Sequence, residues 1–292
     1  MFNNFNNNVK TNKKMVGGKH LAYSSLLMAS MLTLLSPAQA NNALPESLKV
    51  CAAGNEMPYS NTQQQGFENE IAKVLADSMD MPLEFVWSDK AAIFLVTEHL
   101  LKNECDVVMG VDSDDPRVAT STPYYKSGYV FVYRTDKNLN ISDWDSADIQ
   151  KLNRFVVIPG SPSEVMLREV GKFEGNFNYT KSLSGYKSPR NQYVRLEPSK
   201  LISEVTSGNG DIAHLWAPEV ARYVRDSDVS LEMVLSPELG KTKGGEGIVQ
   251  HYDQSVAVRD DDKALLEAIN KGLAKAAPQI TAILEKEGIP LL

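Results

Sequence analysis

The chain has 292 residues, with 37 acidic against 30 basic side chains, a net charge of −7 and only two cysteines. An acidic surface repels nucleic acid and anionic lipid, so neither is an expected partner, while a basic protein would be attracted. Two cysteines exclude a fold stapled by many disulfides and leave at most one bridge within the chain.

The first forty residues hold Lys10, Lys13, Lys14 and Lys19 and no acid, then an apolar run over 21–35 and the sequence Ser36-Pro-Ala-Gln-Ala40. A basic start, a short apolar core and small residues at Ala38 and Ala40 make a secretory signal peptide, cut after about Ala40. Met15 serves as a start as well as Met1. A membrane anchor is the alternative, but it needs about 20 apolar residues, and this run is shorter. No later stretch is apolar enough to span a bilayer. Export to the periplasm leaves about 252 residues, enough for two compact lobes, with 26 basic against 37 acidic side chains and a net charge of −11. In an oxidising compartment Cys51 and Cys105 read as one disulfide closing 54 residues, worth about 3 to 4 kcal/mol in the chain-entropy model. Two buried free thiols or a metal pair are the alternatives.

In chain order, 48–53 reads as a buried strand, and Phe67, Ile71, Val74 and Leu75 recur at helical spacing. Met81-Pro82 ends that helix before a strand at 83–87. A helical stretch over about 92–102 precedes a buried strand at 105–111. This alternation implies a parallel sheet with helices on both faces. A turn-rich segment over 112–123 leads to a strand at 128–134. A second α/β series then follows: strand 154–158, a helix from Ser163, a strand near 177–181, helix 199–207, strand 211–216, helix 219–225 and strand 231–235. A glycine-rich loop over 240–247 precedes a return strand at 255–259. Two amphipathic helices finish the chain, one burying Leu265, Leu266, Ile269 and Leu273, the next Ile280, Ile283 and Leu284.

The order of Gly66-Phe67-Glu68, Glu104-Cys-Asp106-Val-Val-Met-Gly110, Pro123-Tyr-Tyr125, Gly160-Ser-Pro162 and Val256-Ala-Val-Arg259 resembles the type II periplasmic solute-binding family that serves amino-acid transporters. The resemblance covers nearly all of 48–292. It implies an α/β fold of two lobes with two hinge crossings: lobe I from 41–132 plus 253–292, lobe II from 133–252. Finer motifs are similar to a narrower group within it, the MxaJ (MoxJ) proteins and their XoxJ relatives. These motifs are Val50-Cys51-Ala52, Met57-Pro-Tyr-Ser-Asn61, Gly66-Phe-Glu-Asn69, Glu104 to Val111, Ala119 to Tyr125, and Ala217-Pro-Glu-Val-Ala221. That likeness implies a non-catalytic periplasmic accessory whose partner is the quinoprotein methanol dehydrogenase.

The fold places a cleft at the carboxyl ends of the strands. Its candidate residues are Tyr59, Ser60 and Asn61 after the first strand, Gly110, Asp112 and Arg117 after the third, and Gly160, Ser161 and Ser163 at the start of a second-lobe helix. Arg117 either grips a carboxylate with two parallel bonds or is a solvated loop arginine. Gly160 to Ser163 either meets an anion or caps the helix, capping being the simpler reading. Amino-acid binders of the family place an acid after the Gly-Asp strand to hold the ligand ammonium. Here Trp216 falls there, with Asp112 or Asp253 as substitutes. Trp87, Tyr124, Tyr125 and Trp216 either line the cleft or pack in the core.

Catalytic signatures are missing. His20, His99, His214 and His251 show no paired metal-ligand spacing, so neither a metal nor a cofactor is expected. His214 sits in a strand pattern and reads as a packing residue. No nucleophile elbow or phosphate loop occurs, and Gly244-Gly245-Glu-Gly247 lacks a strand-to-helix context. Beside the accessory role stands a second reading, a transporter receptor for a small polar or anionic ligand.

Overall fold

The computed structural model describes residues 44–184 and 196–292, and the expected leader at 1–40 lies outside them. Strand β1 (Leu48–Ala53) leads into a short hairpin of β2 (Asn55–Glu56) and β3 (Ser60–Asn61), with a cis peptide bond at Met57-Pro58. Helix α1 (Phe67–Ser78) buries Phe67, Ile71 and Leu75 completely, four residues apart along one face. It starts at Gly66, where a Cβ would lie 2.0 Å from the Tyr59 carbonyl oxygen, so only glycine fits. Strand β4 (Leu83–Ser88) follows. The helical stretch at 92–102 is broken into a 3-10 turn, α2 (Leu95–Glu98) and a second 3-10 turn before β5 (Val107–Asp112), β6 (Ala119–Thr120) and the long β7 (Tyr125–Arg134).

The next part of the chain supplies β8 (Phe155–Val156), α3 (Pro162–Glu169), α4 (Phe173–Ser184), α5 (Pro198–Thr206), β9 (Ile212–Trp216), α6 (Ala217–Arg225) and β10 (Leu231–Leu235). Strands β11 (Leu239–Lys241) and β12 (Gly247–Val249) pair as a hairpin where the sequence suggested only a loop. Strand β13 (His251–Val258) and helix α7 (Lys263–Glu287) end the chain.

The main sheet runs in the order β4-β1-β5-β13-β7-β9-β8, with β10 on β7 and β6 on β13. Strand β1 is parallel to β4 and β5, and β8 is parallel to β9. The parallel pairing expected of the first three long strands is present, while the return strand β13 lies antiparallel between β5 and β7, and β7 is antiparallel to β9 and β10. Residues alternate in direction along β7. Val130 and Val132 join a core with α5 and α6, while Phe131 and Tyr133 join another with Trp144, Met166 and Leu167. Around β1, β5 and β13, helices α1 and α7 cover one face, and Leu95, Val96 and Leu100 pack with Cys51 and Cys105 on the other.

Two expectations are corrected. The segment 177–181 is helical, within α4. Its neighbour Asn176, fully buried, accepts from the Phe155 amide and donates to the Phe155 carbonyl, each at 2.8 Å, so a side chain satisfies the edge of β8 where a strand was expected. The two closing helices are one, 25 residues long, running through Pro278. Leu265, Ile269, Leu273, Ala276, Ile280 and Leu284 form one continuous buried stripe. Pro278 lies on the exposed face, where the carbonyl that a proline leaves unpaired is open to solvent.

Cys51 and Cys105 form the disulfide, with 5.6 Å between Cα atoms, and join β1 to the entry of β5. At the far edge of α7, Glu287 is 4% exposed and takes a forked pair of bonds from Arg222 of α6, at 2.6 and 2.8 Å. That ion pair ties the α5–α6 side of the molecule to the α1–α7 side.

Candidate functional site

A cavity of about 400 Å³ opens at the carboxyl ends of β1, β5 and β9, where strand ends and helix starts converge. It draws Val50 to Ala53 from β1, Glu56, Tyr59 and Ser60 from the following hairpin, Glu68 and Asn69 from the first turn of α1, and Met109, Gly110 and Asp112 from β5. Phe85, Ala92, Leu95, Tyr129, Pro162, Trp216, Tyr252 and Gln254 complete it.

The hairpin is held in place by Asn69, 1% exposed, whose carbonyl oxygen accepts from the Asn61 amide at 3.1 Å and whose NH₂ donates to Ser60 Oγ at 2.9 Å. Asn61 thereby acts behind the wall, with its own Oδ1 accepting from the Gln65 amide at 2.9 Å. Tyr59 packs on Phe67 with 5.1 Å between ring centroids, and burial pushes its phenol up.

Glu68 is the central ionisable group. Its carboxyl is buried and, among the described residues, takes a side-chain donor only from the Tyr124 hydroxyl, 2.8 and 2.7 Å from its two oxygens. Burial outweighs that bond and raises its pKa from 4.5 to about 7. Gly110, in the left-handed region at φ +65°, makes room for it: a Cβ there would stand 3.0 Å from Glu68 Oε1.

Across the cavity Tyr129, Trp216 and Tyr252 form an aromatic cluster. Centroid separations are 5.7 Å for Tyr129–Trp216, 5.8 Å for Trp216–Tyr252 and 6.4 Å for Tyr129–Tyr252. Asp112, at the end of β5, accepts from Gln254 Nε2 at 2.6 Å. Three carboxyl groups, from Glu56, Glu68 and Asp112, line the cavity, and none of its lining residues is basic.

Of the ten residues expected in the cleft, Tyr59, Ser60, Gly110, Asp112 and Trp216 lie on its wall. Arg117 does not. Its guanidinium is exposed and forked onto Asp115, whose carboxyl it holds below the usual range. Gly160 is exposed, and its amide donates to Glu164 at 2.8 Å. Ser161 stands at the start of α3 but makes no side-chain cap, because its hydroxyl donates to the Ile158 carbonyl at 2.6 Å. Ser163 is buried against His214 Nδ1 at 2.8 Å. Trp87 stacks on Phe85 at 4.9 Å, and Tyr124 and Tyr125 meet edge to face at 5.1 Å. Glu68, Tyr129 and Tyr252 also line the cavity, although none was among the ten expected residues. A buried acid two residues after a glycine that opens a helix was the one available signal.

His214 is a satisfied core histidine. Ser163 and Ser236 hydroxyls occupy its two ring nitrogens at 2.8 and 2.6 Å, and burial lowers its pKa from 6.5 to about 3. Among the described residues no group of three or more His, Cys, Asp and Glu is placed to hold a metal ion, and no helix is long and apolar enough to cross a membrane.

The pattern of the bacterial extracellular solute-binding proteins, family 3, matches residues 48–286. A MoxJ protein of Methylorubrum extorquens is 41% identical, the match covering 94% of this chain and 97% of that one. A MoxJ protein of Paracoccus denitrificans is 42% identical over 90% of this chain and 95% of its own length. The crystal structure of MxaJ from Methlophaga aminisulfidivorans MPT superposes with a TM-score of 0.81 at 65% identity, covering 84% of this chain and all of that one. The chain belongs to the bacterial extracellular solute-binding proteins of family 3, with the type II periplasmic binding fold, and within them to the MoxJ/MxaJ proteins.

Proposed function

We propose that the chain is a periplasmic accessory of the methanol dehydrogenase system, built as a solute-binding protein and working by association rather than by catalysis. Kinship with MoxJ proteins over nearly their whole length supports this. The observation that carries it is the cavity wall. An amino-acid carrier needs an acid for the ligand ammonium at the end of β9 and a basic group for its carboxylate. Trp216 occupies the first place, and no lining residue supplies the second.

The competing reading, a transporter receptor for a small polar or anionic solute, loses its motivating residue once Arg117 is spent on Asp115. The wall carboxylates of Glu56 and Asp112 also oppose an incoming anion. Lobe boundaries at 132/133 and 252/253 and export by a leader cut after about Ala40 are part of the same proposal. Deleting the gene should remove most methanol dehydrogenase activity from the periplasm, with recovery when the gene is supplied in trans. Unchanged activity, with no association between the chain and the enzyme, would overturn the proposal.

A further inference from the structure

We infer that the cavity binds a small organic cation that carries no carboxylate, held between the Tyr129, Trp216 and Tyr252 rings and the Asp112 carboxylate. The inference goes beyond the dehydrogenase role and does not rest on it.

The three rings meet at interplanar angles of 54°, 78° and 66°, so they present differently oriented π surfaces to one region of the cavity. A cation within about 6 Å of a ring centroid is attracted by the ring quadrupole, most strongly by tryptophan. Trp216 is half-buried, and its ring is placed by the extended backbone that starts α6. It therefore combines a fixed position with a free surface.

Asp112 is exposed at the end of β5 and fixed by Gln254. It also lies close enough to Tyr129 and Tyr252 to add to the burial that pushes both phenols up. The ring cluster and the carboxylate thus act on the same space.

Charge on the wall narrows the ligand further. Glu56 and Asp112 favour a positive guest, and the lack of a lining basic residue leaves any ligand carboxylate without a partner. An amino acid, even a cationic one, meets that penalty, while an alkylammonium ion does not. A volume of about 400 Å³ lies within the usual range for small-ligand pockets of roughly 300 to 1,000 Å³.

Isothermal titration of the purified chain decides it, using tetramethylammonium, choline, the uncharged choline isostere 3,3-dimethylbutan-1-ol, glycine betaine and lysine. Saturable binding of the two quaternary ions is expected, with the isostere, betaine and lysine weaker by about tenfold or more. Trp216→Ala and Asp112→Asn should each weaken choline by about tenfold. If Trp216→Ala fails to fold, Asp112→Asn and the uncharged isostere on the wild-type chain still decide. No binding of either quaternary ion at millimolar concentration, equal binding of the isostere, or tighter binding of betaine or lysine overturns the inference. Dehydrogenase is absent from these titrations, so their outcome is separate from that of the gene deletion.

Discussion

Glu68, in the first turn of α1, and His214, in the middle of β9, are both buried, at 6% and 1% exposure, yet they are built to opposite purposes. His214 has a hydroxyl on each ring nitrogen, is packed among Tyr129, Phe131 and Trp144, and is not one of the residues lining the cavity. Among the described residues Glu68 has one side-chain donor, Tyr124, and it lines the cavity. Burial alone therefore does not mark a working group. A buried ionisable side chain with spare hydrogen-bonding capacity and a space in front of it does.

The largest expected effect tests whether the two sides of the molecule are independent. Arg222→Ala strips the forked partner from buried Glu287 and should cost about 3 to 5 kcal/mol. In urea, the single unfolding transition should separate into two. Replacing Cys51 and Cys105 with alanine should cost about 3 to 4 kcal/mol and fall on the α1–α7 side alone, readable by hydrogen exchange of β1 and β5.

The pH dependences should oppose each other. Glu68 binds its proton more tightly in the folded state, so its contribution is full below pH 4.5 and is lost as pH rises through about 7. That loss is roughly 3 kcal/mol at 1.36 kcal/mol per pK unit. Glu68→Gln should abolish it in denaturation curves taken between those values. His214 protonates near pH 6.5 when unfolded and near 3 when folded, so its contribution is present above 6.5 and is lost as pH falls toward 3. His214→Phe should remove that acid limb. By leaving the Ser163 and Ser236 hydroxyls buried without a partner, it should also cost about 2 kcal/mol at neutral pH.

Much of the fold was readable because apolar periodicity is local: α1, α5 and the strands at 48–53, 83–88 and 231–235 follow directly from their patterns. Errors arose where a distant contact decides. Phe177, Tyr179 and Thr180 favour a strand, but Asn176 has already satisfied the edge of β8, so the segment coils. Pro278 suggests a break, but its place on the exposed face lets the stripe from Leu265 to Leu284 continue. In the site, the strand-end rule located Tyr59, Gly110, Asp112 and Trp216. It misplaced Arg117, because Asp115 lies two residues away and competes for the guanidinium. The approach of Tyr124 to Glu68 spans 56 residues, and no local pattern announces it.

The most direct measurement is titration of purified methanol dehydrogenase against the immobilised chain. Saturable binding, displaced by free chain in solution, is the expected result. No binding under conditions where the enzyme is fully active would contradict the accessory role.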